Sequence, residues 1–179
     1  MVPHLEIPMS STSALSHYHD WLRDAHAMEK QAKTMLEQMA TRLEHYPQLQ
    51  LRIEQHIEET RQQQTLLEGI LDRHGIAHSS VKDVMGKMAA MGQAFGGMFN
   101  DEEVIKGAIA GYVFENAEVG SYTSLISVAK RVGDTASVPV LKQICEQELA
   151  MSDWLISHLP ELTEQFLTLS EDPDSNAKR

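Results

Sequence analysis

Two glutamates interrupt an otherwise apolar helical stripe, and that interruption restricts what this chain can fold into. Between residues 108 and 129, positions stepped by three and four read Ala108, Gly111, Glu115, Glu118, Tyr122, Leu125 and Ala129. In a helix these share one face, the face a packed helix buries. A carboxylate there is costly unless it is paired, protonated or bound to a metal. The remainder of the chain has to supply what the two glutamates face.

Three other segments carry the same pattern. A helix from residue 13 to about residue 45, ended by Pro47, has the stripe Leu22, Ala25, Glu29, Ala32, Leu36, Met39 and Leu43. A second, from about residue 48 to 74 and stopped by Gly75, has Leu49, Ile53, His56, Thr60, Gln63, Leu67 and Ile70. A capping box at residues 100–103 opens the third helix, which Gly133 ends. The fourth starts near Thr135, with Pro139 in its first turn, and carries Leu141, Cys145, Glu148, Ser152, Leu155 and Leu159. Pro160 is expected to break it and leave a short helix over residues 161–169.

No strand-like alternation competes with these periods. The pattern predicts an all-α, ferritin-like four-helix bundle over residues 14–169, built as two helical hairpins. Residues 1–13 read as a flexible arm and 170–179 as a disordered tail. The long crossover between helices 2 and 3, rich in methionine and glycine, should carry one short helix from Ser79 or Ser80 to Met91. Its methionines suit adaptable packing better than a soft-metal site.

All four stripes break near mid-length, and in antiparallel neighbours those heights coincide. Helix 1 offers Glu29, helix 2 offers His56 and Glu59, helix 3 offers Glu115 and Glu118, and helix 4 offers Glu148. Bare, such a layer would have to protonate or destabilise the bundle. Two divalent cations would nearly neutralise it, and oxygen ligands with an imidazole suit iron or manganese. A hydrated polar seam in an ordinary bundle is the competing reading. Around the layer, His26, Gln63, Tyr112 and Tyr122 are candidates to orient the ligands; Cys145, one turn from Glu148, suits a buried, inert role better. His26 falls beside the stripe, which makes it a ligand or a surface residue.

The formal net charge of −11 argues against nucleic acid and anionic membranes as partners. A single cysteine suggests a reducing compartment, and no secretion signal or membrane-length apolar run is seen, so the cytoplasm is expected.

One stretch, His17-Tyr-His-Asp-Trp-Leu-Arg-Asp-Ala-His-Ala-Met-Glu-Lys-Gln31, is similar to the opening of the YciE/YciF-type bacterial ferritin-like proteins, their YciE members most. Lys106-Gly107, Gly111-Tyr-Val-Phe-Glu115, Tyr122-Thr-Ser-Leu125, Gly133-Asp-Thr-Ala-Ser137 and Asp153-Trp-Leu155 extend the resemblance over about residues 16–169. It implies a ferritin-like bundle, a dinuclear iron site and a stress-associated role. The wider superfamily's Glu-x-x-His is absent. Helices 1 and 2 show the reverse order, His26-Ala-Met-Glu29 and His56-Ile-Glu-Glu59, whereas Glu115-x-x-Glu118 matches rubrerythrin-like members.

Two functions are therefore expected. One is a dinuclear iron (or manganese) protein reacting with dioxygen or peroxide. The other is a metal-stapled structural or regulatory bundle without turnover. Homodimerisation is the expected assembly, and storage of iron in a hollow shell is a weaker third reading.

Overall fold

The structure, a computed structural model, describes residues 9–79, 86, 104–172, 174, 175 and 177. Four helices account for most of them, and no strand occurs among the described residues. They are α1 (Met9–Ala40), α2 (Pro47–Arg73), α3 (Val104–Val132) and α4 (Val138–Glu171). Of the expected short crossover helix only Ser79, which is not helical, and Gly86, which is, belong to the described residues; the capping box at 100–103 lies outside them.

Helices α1 and α2 form one hairpin, and α3 and α4 the other. Helix α1 also packs along α3, and α2 touches α4, which sets α1 opposite α4 and α2 opposite α3 across the diagonals. Stop signals work as the sequence implies. Gly75 at φ 64° and Gly133 at φ 83° take the left-handed conformation that side chains resist. After each, the next amide reaches back five residues: Ile76 to the Leu71 carbonyl at 2.9 Å, and Asp134 to that of Ala129 at 3.0 Å. Pro47 and Pro139 sit in first turns, where a missing N–H costs nothing.

Three boundaries differ from expectation. Helix α1 starts at Met9 and stops at Ala40; tight turns then carry Leu43 and Tyr46 into the core. Pro160 does not break the fourth helix, which runs through it to Glu171. The loss of one backbone hydrogen bond is outweighed by the apolar side chains beyond the proline, with Leu162 buried and Phe166 and Leu169 packed on the core. The expected tail begins inside α4, and Ala177 is buried, its carbonyl accepting from the Tyr46 hydroxyl at 2.6 Å.

The core consists of two apolar halves. One gathers Leu22, Leu67, Leu71, Leu125 and Leu141. Its outer end is tied by Asp134, which accepts from the Tyr18 hydroxyl of α1 and meets His74 Nε2 past α2, both at 2.8 Å. The other half gathers Leu36, Leu49, Ile53, Ala108 and Leu155. Glu29, Glu115, Glu118 and Glu148 fall between the two along the sequence of their helices, and His56 lies at the edge of the second half, next to Ile57.

Candidate metal centre

Periodicity places the site. All seven stripe residues of α2 are buried, and with them His56, Thr60 and Gln63 turn inward at mid-helix. Glu115 and Glu118 fall on the buried face of α3, and Glu29 and Glu148 on those of α1 and α4. Of these, Glu29, His56, Glu118 and Glu148 are wholly inaccessible and Glu115 is 2% exposed.

His56 is the centre of the arrangement. Its Nε2 lies 3.1 Å from Glu115 Oε2 and 3.2 Å from Glu148 Oε2. The first contact spans the diagonal between α2 and α3, whose backbones do not touch. On the ring's other side, Nδ1 is 2.7 Å from Glu59 Oε2. Burial disfavours a charged ring, but hydrogen bonds and charge from Glu115, with Glu148 and Glu59, overcome it and push the imidazole up to about 12. Without metal, these carboxylates favour the imidazolium, whose two nitrogens face acceptors on opposite sides.

One cation does not satisfy four buried carboxylates. Burial raises Glu115 to about 8, against the pull of His56. Burial again, reinforced by Glu148, lifts Glu29 well above the ordinary carboxylate range. Glu118 is lifted in the same way by burial and by Glu29, Glu148 and Glu115. Both oxygens of Glu118 and Oε2 of Glu29 are buried without a hydrogen-bond partner, and Glu148 Oε2 meets only the His56 ring, at 3.2 Å and in poor alignment. Uncompensated acceptors at this density are rare in a metal-free core. The donor set of carboxylate oxygens plus one imidazole is the type that holds iron, manganese or zinc. One oxygen each of Glu115 and Glu148 and a ring nitrogen of His56 lie within 4.8 Å of one another, close enough to share a metal ion.

The surrounding residues divide into those that touch this layer and those that do not. The Tyr122 hydroxyl donates to Glu29 Oε1, and the Gln63 amide donates to Glu148 Oε1 and, at 3.0 Å, to Gln147 Oε1. Glu59 is half-buried on the rim, its side chain 32% exposed, and it also accepts from Arg52 Nη1 at 3.2 Å. It holds the outer nitrogen of His56, whereas the four buried glutamates crowd the inner side. Tyr112 packs against the apolar half around Ile53 and Leu155, and Cys145 against the opposite half.

His26 is neither a surface residue nor part of the layer. It is fully buried, with Nε2 3.0 Å from Glu68 Oε1 and Nδ1 held by Ser79. Sequence reading missed Arg52 and Gln147. Arg52 could have been found, because it lies seven residues before Glu59 on the same face. Gln147 gives no periodic signal.

Comparison with known proteins agrees with this architecture. A family model described as a domain of unknown function, DUF892, matches residues 13–168. A crystal structure of a protein from Xanthomonas campestris pv. campestris is 33% identical, with a TM-score of 0.75, over 89% of this chain and 99% of that one. The crystal structure of the E. coli stress protein YciF is 21% identical, with a TM-score of 0.69, over 82% of this chain and 94% of that one. The second likeness speaks for the fold. With the family match spanning nearly the whole bundle, this ferritin-like chain belongs to the DUF892 family.

Proposed function

We propose that this protein holds two metal ions, iron with manganese as the alternative, in the layer of Glu29, His56, Glu115, Glu118 and Glu148, and that it reacts with dioxygen or peroxide. The observation that carries the reading is the set of buried carboxylate oxygens, both of Glu118 and one of Glu29, that lack any hydrogen-bond donor, beside a Glu148 oxygen that meets only the shared His56 ring. Bound iron would supply one-electron chemistry toward an oxidant. The chain's own residues would do the rest. His56, relieved of its Nε2 proton, would offer that nitrogen while Nδ1–H stays on Glu59, which fixes the ring's orientation and tautomer. Glu59, placed among the ligands by sequence spacing, is assigned this orienting role on its geometry. Tyr122 would hold Glu29 and keep a proton at hydrogen-bond distance from the layer. Gln63 would fix Glu148.

A second reading is a metal-stapled structural or regulatory bundle without turnover. The complete burial of Glu29, His56, Glu118 and Glu148 favours it, because an oxidant needs a way in. Either way, we propose a homodimer in the cytoplasm with a role in bacterial stress; of these, only the stress role is in the E. coli relative's description. No described helix is long and apolar enough to cross a membrane.

Metal content separates these readings from a hydrated polar seam. After anaerobic reconstitution of untagged protein with iron, elemental mass spectrometry should give about two ions per chain. None would refute the metal assignment. With two bound, peroxide consumption coupled to a spectral change favours the reactive centre. Tight iron without consumption favours the staple.

A further inference from the structure

The chain leaves α2 at Arg73, turns at Gly75, and four residues later, at Ser79, is fastened to α1 by His26. The fastening has an unusual chemical constraint. His26 Nδ1 lies 3.2 Å from the backbone N of Ser79 and 2.7 Å from its Oγ. A backbone N–H can only donate, so Nδ1 must be the unprotonated nitrogen. The proton then sits on Nε2 and is donated to Glu68 Oε1 at 3.0 Å. Lys30 Nζ completes the clasp by donating to the Ser79 carbonyl at 3.4 Å. Both backbone polar groups of Ser79 and its hydroxyl are thus satisfied by α1, and Ser79 is 6% exposed.

We propose that His26 is an acid-released latch, holding Ser79 and the segment that leads to it against α1 only while its ring is neutral. A second proton would have to go on Nδ1, where it would meet the Ser79 N–H donor to donor. The hydroxyl can rotate to accept, but the amide cannot, and a buried amide left without an acceptor favours the open state.

The groups around the ring set where this happens. Burial disfavours the imidazolium, the Glu68 carboxylate of α2 opposes burial, and Lys30 of α1 and His78 of the departing segment add to it; the balance holds His26 below its ordinary value of 6.5. His78 stands edge-on to His26, ring centres 5.5 Å apart, and is itself held by Asp72 at 2.9 Å. Because the released state binds the proton more readily, the latch is at full strength above the ordinary histidine value and weakens as pH falls below it. Glu29 follows one turn later on α1, so the release point adjoins the polar layer.

Amide hydrogen exchange on the full chain tests the latch. Between about pH 8 and pH 5, after correction for intrinsic rates, protection of the peptide ending at Ser79 should fall by at least about tenfold, while mid-α2 peptides stay protected. In His26→Gln, whose side-chain carbonyl accepts at any pH, that fall should disappear. An unchanged fall in the variant, or constant protection in the native chain, overturns the proposal. If the variant does not fold, ¹⁵N spectra of the native imidazoles decide: loss of the Ser79 amide bond should track protonation of His26 Nδ1. Protonation with Ser79 still protected, or a ring neutral down to about pH 5, refutes it.

Discussion

Helices α1 and α2 each carry a histidine three residues before a glutamate, and they turn the pair in opposite senses. In α2, His56 points into the polar layer and Glu59 stands on the rim with Arg52. In α1, Glu29 occupies the layer, and His26 faces outward to Glu68 and Ser79. The sequence motif is the same, yet one histidine becomes a charged partner of buried carboxylates and the other a neutral hydrogen-bond hub. What distinguishes them is the company on the facing element: Glu115 and Glu148 for His56, a backbone amide for His26. A His-x-x-Glu spacing therefore fixes a shared face and does not fix a role.

Substitutions can break or sharpen this contrast. The largest effect is expected from Glu115→Ala with Glu148→Ala, which should remove metal binding while leaving helicity intact. Full occupancy by elemental analysis would put the ligands elsewhere. Next is His56→Ala, which strips the buried carboxylates of their cation. In metal-free protein it should cost about 3–5 kcal/mol by urea unfolding. His26→Ala should cost less, on the order of 1–3 kcal/mol, and leave metal content unchanged. Equal costs would erase the distinction drawn above.

The two sites should also respond oppositely to acid. Glu29, Glu115 and Glu118 are raised in the folded state, so the folded protein binds their protons more readily than the unfolded chain. Their contribution in the metal-free protein should improve as pH falls from about 8 toward the ordinary carboxylate value of 4.5. The His26 contribution should decline below 6.5 over part of the same interval. Thermal unfolding across this range, with Glu118→Gln, isolates the first trend, which that variant should flatten. With metal bound the trend should reverse, because the ligands must then stay deprotonated.

The smallest effects test the outer partners. Glu59→Gln should weaken metal affinity about 10- to 100-fold through misorientation of His56. Glu68→Gln should leave affinity unchanged and cost about 1 kcal/mol at the latch. Titration of both variants with one metal would show whether the two rims are as separate as their geometry.

Much of this was legible in the sequence. The stripe of α2 is buried at every expected position, and the buried carboxylates fell on stripes because the helical period leaves them nowhere else to point. Glu59 sits about 60° from the stripe centre, and a rim position follows from that angle. Local propensity alone makes Pro160 a helix breaker, whereas the burial of Leu162 and the packing of Phe166 and Leu169 beyond it keep the helix intact. The burial of His26 had no sequence signal. It depends on residue 79 folding back over α1, a non-local contact that no period encodes.

The division of the core has a consequence for how the chain folds. Each apolar half draws residues from all four helices, so each is a potential nucleus in its own right. The layer between them carries like charges that gain nothing from early compaction. Cooperativity between the halves must pass along the helix backbones and through the few hydrogen bonds of the layer, among them His56 to Glu115 across the diagonal, Tyr122 to Glu29 and Gln63 to Glu148. Metal-free protein is then expected to behave as two loosely coupled folding units, and a cation in the layer would make them one.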